Sequence, residues 1–599
     1  MQNASIKNVD VNNGFIKNRL DVNRISTVYN VYNRFKETGR FDALKCTGNG
    51  AKAHIFWDSD VVKWLEGACY MLYKNKDEKL LNLVNDVVED IVNNQLDTGY
   101  FNSYFQVYEP DAIFTRRGDH ELYCAGHIFE SAVALKEYLN DDRLLNFASK
   151  YVDYIIERFV VKKDTGFVTP GHQEIEIALI RLYRLTNDEK YLSLAKFFID
   201  NRGKIDGEKD FCNQSHLPVR EQTYAIGHAV RALYMYTAMA DMALLTGDDG
   251  LKKAVATLFD DIITTKMYVT GGTGSSFHGE NFTAPYDLKN TYAYSETCSA
   301  IALCFFADKL IKLFGDAKYG DIIEKVIYNA YMAGTSIDGE SYFYVNPLEV
   351  KKDLIDFNYT LENWCRERYP ILKRVKVFSC SCCPPNIVRF NEEIPSYIAY
   401  TDIDTKTVMI SQYISSTIKT DLADILIESG FPYDGKVKIK INSFGNDITL
   451  KLRKPSWSKI DFYNEDNGYL IFEGVFDDTE IALDFKMSFG KIYANPAVKE
   501  DFNKVAFCYG PLVLCAEGTD NKFDIFATSI PKNAKVKGQI LYGDPYILTA
   551  KINAFTYLKT DALYLEKLPK KQKTELKLIP YFTWANREEN DMSVWFNID

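Results

Sequence analysis

Phe378–Phe390 reads FSCSCCPPNIVRF and sets three thiols, Cys380, Cys382 and Cys383, against Pro384 and Pro385. The run from Asn386 has helical character, so Cys382 and Cys383 are expected beside a helix N-terminus, with Pro384 holding Cys383 out of helical geometry. The partial positive charge of a helix start favours thiolate over thiol, and thiolate is the form that binds metal and attacks carbon. Two thiolates side by side repel unless a cation holds them. A second pair stands in YSETCSAIALCFF, where Glu296 and Cys298 are two apart. Such residues share a side of an extended segment, and the helix after them is expected to begin near Ser299. Glu296, Cys298, Cys382 and Cys383 together form a candidate Cys₃Glu set for zinc, which takes sulfur and oxygen ligands in tetrahedral geometry. The spacing is not that of a zinc finger, and buried inert thiols or a vicinal disulfide account for the same pattern.

Other groups carry weaker signals. The segment GGTGSSFHGENF places Glu280 on a glycine-rich stretch. It lacks the Gly-Lys-Ser/Thr of a phosphate loop, which leaves a flexible connection or a functional carboxylate. Three of the seven histidines, His127, His172 and His228, each follow a glycine and precede an apolar helical run. They are expected at helix starts around one mouth, where three such groups suggest a shared site. In FWDSDVVKW, Asp58 and Asp60 stand beside Trp57, and aromatic faces with carboxylates suit sugars.

The elements that must position these residues change character near residue 400. Before it, one pattern recurs: an apolar helical stretch, a polar turn with Asp, then an amphipathic helix. The copies begin at Asn75, Asn140, Thr186, Thr246 and Phe314, and the early NRISTVYNVYNRFKE fits a sixth hairpin. Asp or Asn before a helix caps its free N–H groups, and this spacing suits an array of helical hairpins. An open solenoid and a closed α/α toroid both fit; the long loops with unusual residues favour the toroid. After residue 400, TVMISQYISSTIKT, KVKIKINSF, DITLKLRK and EIALDFKM alternate apolar and polar residues as half-buried strands do. The expected organisation is multidomain, α then β: a barrel over residues 1–400, a β-sandwich over 401–500 with the C-terminal strand 590–599 as a candidate addition, and a second β-sandwich over 501–589.

Bulk properties narrow the class. A chain of 599 residues exceeds one ordinary core. The net charge of −11 offers no basic excess for phosphate, so no nucleic-acid partner is expected. No apolar run of membrane-spanning length and no secretory leader is read, and 12 cysteines are far too few for a disulfide scaffold. A cytoplasmic protein with reduced thiols is the expectation. The β domains are compatible with a homodimer.

With these residues laid out, the chain resembles the β-L-arabinofuranosidase family of glycoside hydrolases (glycoside hydrolase family 127). The blocks FWDSDV, HELYCAGHIFESAVA, GHQEIEIAL, HLPVREQTYAIGHAVRALY, YSETCSAIAL, YFYVNPLEV and CCPPNIVRF look like family segments in family order. The resemblance implies an (α/α)₆ barrel followed by β-sandwich domains. It implies Zn²⁺ held by Glu296, Cys298, Cys382 and Cys383, with Cys382 as nucleophile and Glu280 as acid/base. It also implies that His127, His172, His228 and Tyr344 surround the sugar. The implied reaction is retaining removal of a terminal β-L-arabinofuranose from small plant-derived oligosaccharides. Alternatives are hydrolysis of another plant-glycan sugar, such as a branched acidic pectin sugar, or a non-catalytic carbohydrate- or zinc-binding protein. Cys380 departs from the pattern as a third nearby thiol.

Overall fold

The computed structural model describes residues 1–354, 372–461, 464–541, 544 and 547–599. The recurring polar turn proves to be two local signals back to back. In four hairpins the inner helix ends on a left-handed residue (Asn140, Asn187, Gly247 or Gly315), in the first it ends on the extended Asn75, and Asp opens the next helix. Asp77, Asp188, Asp248 and Asp316 accept backbone N–H bonds as N-caps. In the second hairpin Asp142 makes no cap bond; Asp141 accepts from the Arg143 N–H instead.

These turns join α3 (Trp57–Lys74) to α4 (Glu78–Asn93), α5 (Glu121–Leu139) to α6 (Arg143–Ile156), and α7 (Ile175–Thr186) to α8 (Glu189–Asn201). They also join α9 (Ala229–Thr246) to α10 (Asp249–Thr265), and α11 (Thr297–Phe314) to α12 (Ala317–Val326). The outer helices bury one stripe, as α4 does with Leu80, Val84, Val87, Val88 and Ile91. The inner helices are enclosed nearly all round, as α5 is from Glu121 to Leu135. The sixth hairpin is discontinuous. Its outer member is α1 (Gly14–Val22) and α2 (Val28–Glu37), continuous through a π turn at Asn23–Thr27. Its inner member is α13 (Cys383–Glu393), tied to that outer strand of helix by Asn23 Nδ2 donating to Val388 O at 3.0 Å and by an Arg24–Glu392 ion pair at 2.6 Å. The inner helices α3, α5, α7, α9, α11 and α13 each touch the next, and α13 returns to α3, which closes the ring. The toroid, not the solenoid, is the fold. Gly67 permits the closing contact: a Cβ there would lie 2.8 Å from Val388 Cγ1 and 2.9 Å from the Arg389 backbone nitrogen.

Beyond Tyr397 the chain is strands. Lys436–Asn442 and Asp447–Arg453 show the expected alternation of buried and exposed residues. The two sheets that contain them also recruit the chain's start: Gln2–Asn3 pairs with Ala399–Asp402, and Val9–Val11 with Ser416–Lys419. Strands this short show no period in sequence. A third sheet has ten strands among the described residues. Phe596–Ile598 pairs there with Lys504–Tyr509 and Thr528–Ile530. The C-terminal strand is therefore not an addition to the first β unit, because its hydrogen-bonding partners lie beyond residue 500. This third sheet also holds Glu349–Val350 and takes Pro347 O as acceptor for the Tyr581 hydroxyl at 2.9 Å, which pins the segment carrying Tyr344. No helix among the described residues is long and apolar enough to cross a membrane.

Candidate active site

Two inner helices begin at the same point on the barrel axis. The α11 helix starts at Thr297, two residues before the expected Ser299, with Glu296 extended at its N-cap. That backbone is fixed from outside: Glu296 bridges Val345, the Thr297 N–H donates to Tyr344 O at 2.9 Å, and Asn346 Nδ2 donates to Ser295 O at 2.9 Å. The α13 helix starts at Cys383 rather than Asn386, with Cys382 at the N-cap. Its prolines occupy the first turn, where a missing N–H costs no hydrogen bond, and this placement overrides the bias of a pre-proline residue against helix.

The four candidate ligands converge. Cys298 Sγ lies 3.6 Å from Cys382 Sγ and 3.5 Å from Cys383 Sγ, and the last two are 3.8 Å apart. Glu296 Oε1 is 3.4 Å from Cys382 Sγ and 3.7 Å from Cys383 Sγ. These separations exclude a disulfide, whose sulfurs stand about 2.05 Å apart. They match the edges of a tetrahedron around a metal with bonds of about 2.3 Å, whose sulfurs lie about 3.8 Å apart. The donor set thus fits a thiophilic cation. Burial works to raise the Cys298 thiol, but its hydrogen bonds with Cys382 and Cys383 outweigh this and bring it down, while burial pushes Cys383 well up. Cys383 is fully buried and Cys298 is 2% exposed, whereas Cys382 is only half-buried.

Cys382 faces a cavity of about 490 Å³ that Glu280, His172, His228, Tyr344 and Cys380 also line. The Tyr344 hydroxyl lies 3.3 Å from Cys382 Sγ and 3.9 Å from Cys380 Sγ. The glycine-rich segment is not a loose connection. Gly227 and His228 pair in β fashion with Phe282 and Asn281, and Gly279 and Glu280 both take positive φ, 67° and 57°. A non-glycine residue held there signals a constrained position. The constraint brings Glu280 Oε2 to 2.9 Å from His228 Nε2. His228 Nδ1 accepts the Arg231 backbone N–H, so the ring proton sits on Nε2 and points at Glu280. Glu296 joins the two halves: its carboxylate has an oxygen within 4.8 Å of a His228 nitrogen and a Glu280 oxygen, and an oxygen within 4.8 Å of the three sulfurs.

Three expectations are corrected. His127 does not line the cavity: it is fully buried in mid-α5, under Tyr123, with Nδ1 3.1 Å from Glu174 Oε1. The helix begins at Glu121, so His127 lies about 10 Å down its axis. Asp58 accepts from the Ser103 N–H and hydroxyl, and Asp60 pairs with Arg40 at 3.0 Å, so both carboxylates brace the fold rather than face a sugar. The groups that sequence reasoning passed over are His120, His54, Tyr123 and Arg231, which line the cavity. His120 is the residue at the start of α5, in left-handed conformation, and its position before the Glu121 helix was the usable signal. Burial, then Arg231, pushes His120 down to about 3 and His172 well below its usual value. Both rings are therefore neutral and able to exchange hydrogen bonds with hydroxyl groups.

Comparison with known proteins agrees with this geometry. The family model for the β-L-arabinofuranosidase GH127 catalytic domain matches residues 8–396, the GH127 middle domain 407–476 and the family 127 C-terminal domain 490–597. A non-reducing end β-L-arabinofuranosidase of Bifidobacterium longum subsp. longum is 33% identical over 597 residues, covering 90% of this chain and 89% of its own. A GH127 β-L-arabinofuranosidase of Geobacillus stearothermophilus T6 superposes with a TM-score of 0.92 at 34% identity, over 99% of this chain and 100% of the other. A second solved GH127 β-arabinofuranosidase gives 0.91 at 32% identity, over 100% and 98%. The three domain matches in chain order, together with these full-length likenesses, place the protein in glycoside hydrolase family 127.

Proposed function

We propose that the protein is a retaining, exo-acting β-L-arabinofuranosidase in which Cys382 is the nucleophile and Glu280 the acid/base. The observation that carries this is the placement of Cys382 Sγ: Cys382 is the half-buried member of the sulfur cluster and lines the cavity with Glu280, whereas Cys298 at the same wall is 2% exposed and Cys383 is fully buried. In the first step a Cys382 sulfur electron pair forms a bond to the anomeric carbon as the glycosidic C–O bond breaks. Glu280 gives its proton to the leaving oxygen. In the second step Glu280 takes a proton from water, whose oxygen attacks the anomeric carbon, and the C–S bond returns its electrons to sulfur. Two inversions give net retention, with thiolate in the place usually held by a second carboxylate. His228 holds Glu280 through its Nε2–H, and the neutral His120 and His172 orient sugar hydroxyls. Zinc held by Glu296, Cys298, Cys382 and Cys383 would supply a positive charge that keeps sulfur anionic and makes it a better leaving group.

Release of nitrophenol from a nitrophenyl β-L-arabinofuranoside by reduced, zinc-supplied enzyme tests the reading. Absence of turnover there, with turnover of another nitrophenyl glycoside, would reject the sugar. Glu280→Gln is expected to lower kcat/KM on a natural disaccharide about 10²–10⁴-fold, less on a nitrophenyl glycoside whose leaving group needs no proton, with partial rescue of the second step by azide. Equal losses on both substrates and no rescue would remove Glu280 from the role. Chelation is expected to strip about one equivalent of zinc per chain and abolish turnover, and Cys298→Ser should bind the metal at least about tenfold more weakly by direct metal analysis. A Cys298→Ser protein with full zinc content would overturn this ligand set.

One observation favours a second reading. Arg231 lines the cavity, donates to Gly171 O and Cys212 Sγ, and forms no ion pair among the described residues. An acidic sugar would give it a carboxylate, and faster turnover of a uronide than of the arabinofuranoside would establish that alternative. We place the enzyme in the cytoplasm acting on small oligosaccharides, supported by the described cysteines being free thiols. Recovery of active protein outside the cell would overturn that placement.

A further inference from the structure

The cavity that holds Cys382 runs on past His54 and Ser379, which line both it and a neighbouring groove of about 810 Å³. This groove has a built floor. Arg40 is 1% exposed, pairs with Asp60, and donates to Thr38 Oγ1 at 2.7 Å, Ser379 O at 2.9 Å and Phe378 O at 3.2 Å. Its guanidinium lies 4.9 Å from the centre of the Trp57 ring, which it backs. Trp57 and Tyr104 line the groove, and the buried Trp57 indole Nε1–H has no hydrogen-bond partner among the described residues. Lys52, also on the groove, holds its ammonium 5.3 Å from the ring centres of Tyr104 and Tyr108 and forms no ion pair among the described residues. The indole nitrogen is shut off from the groove, so what Trp57 offers a ligand is its ring.

Aromatic surface beside an exposed ammonium, with no carboxylate on the wall, matches a neutral polyhydroxylated chain. The C–H face of a sugar ring packs on Trp57 or Tyr104, and hydroxyl oxygens accept from the Lys52 ammonium. We propose that this groove binds the sugars beyond the one removed, so that the preferred substrate is an oligosaccharide of three or more units rather than a disaccharide. The proposal rests on the glycosidase reading of the adjoining cavity. It places chain-length specificity on Trp57, Tyr104 and Lys52.

The test compares kcat/KM on the nitrophenyl β-L-arabinofuranoside with that on β-linked L-arabinofuranose di- and trisaccharides, for the native enzyme, Trp57→Ala and Tyr104→Ala. Native enzyme is expected to favour the trisaccharide over the disaccharide by about tenfold, the effect of one added hydrogen bond with ring packing. Each variant should erase most of that ratio. A ratio near one in the native enzyme, or an undiminished ratio in both variants, overturns the groove assignment. Turnover of the nitrophenyl glycoside separates this outcome from failure of the arabinofuranosidase reading. If no glycoside is turned over, calorimetric titration with the same di- and trisaccharides decides the groove, and equal affinities overturn it.

Discussion

Cys382→Ser is expected to lower kcat by about 10⁴-fold or more while leaving the barrel folded. Serine nearly preserves the volume, so the helix start at Cys383 and its packing against α3 have no reason to move. What changes is the atom: a hydroxyl is not ionised near neutrality, and the sulfur electron pair that forms the first bond is gone. A structural role for the cluster predicts something else. Cys383 is fully buried and does not reach the cavity, so on that view Cys383→Ser and Cys382→Ser would be alike in their effects on stability and metal content, and activity would follow those two quantities. On the nucleophile view, Cys382→Ser loses turnover beyond what its metal content explains. A direct readout comes from Glu280→Gln, in which the second step is slowed: brief exposure to the nitrophenyl glycoside should leave one pentosyl unit on the peptide that contains Cys382. An adduct on another residue, or Cys382→Ser within tenfold of the native rate, would sink the assignment.

What could be read from sequence, and what could not, follows the distance over which each signal acts. The hairpin turns were legible because a left-handed Asn or Gly and a capping Asp are adjacent residues with local preferences. The four members of the Cys/Glu cluster were legible because Glu-x-Cys and Cys-Cys each put donors side by side, so only two segments had to be brought together. Of the sixth hairpin the outer member was legible, in NRISTVYNVYNRFKE, but its pairing with α13 was not, since the two halves stand at opposite ends of the barrel sequence. Asp58 was misread for the same reason: its partner is Ser103, 45 residues away. Taking His127 in place of His120 was an error of depth along the helix, since residues seven apart share a face and differ by about two turns. Both lie in the block HELYCAGHIFESAVA, and only the position of the first helical residue decides which of them reaches the mouth. Glu280 was placed on a loop correctly, but its fixed geometry depends on a strand pairing with Gly227 and His228 that leaves no local trace.

Arg389→Met is expected to destabilise the barrel by about 3–5 kcal/mol. Arg389 is 1% exposed on α13 and donates to Glu66 Oε2 at 2.8 Å, to Glu130, to Asn386 Oδ1 at 2.7 Å and to the Tyr234 hydroxyl at 3.2 Å. Arg181 closes the network from the other side, with Glu66 Oε1 and Glu130 Oε1 both at 2.7 Å. Burial works to raise the Glu130 carboxyl, and the two arginines outweigh it and bring it down. Removing one arginine leaves two enclosed carboxylates to share a single cation, which is the costly case; an apolar replacement of the whole network would cost far less. Spread over a domain of this size, that loss corresponds to a fall in melting midpoint of about 4–6 °C. The consequence for the site comes from where Arg389 stands. The α13 helix spans only Cys383–Glu393, and its N-terminus carries Cys382 and Cys383, so the charge network, together with the Asn23 and Arg24 contacts at Val388 and Glu392, fixes the helix along its axis. Activity measured well below the melting midpoint should therefore fall as well, by about tenfold, as Cys382 drifts from the near-contact geometry that fast attack requires. A variant with an unchanged midpoint would show that the network is not what holds α13. One with a lowered midpoint and full activity in the cold would show that the sulfur cluster, rather than the helix beneath it, sets the position of Cys382.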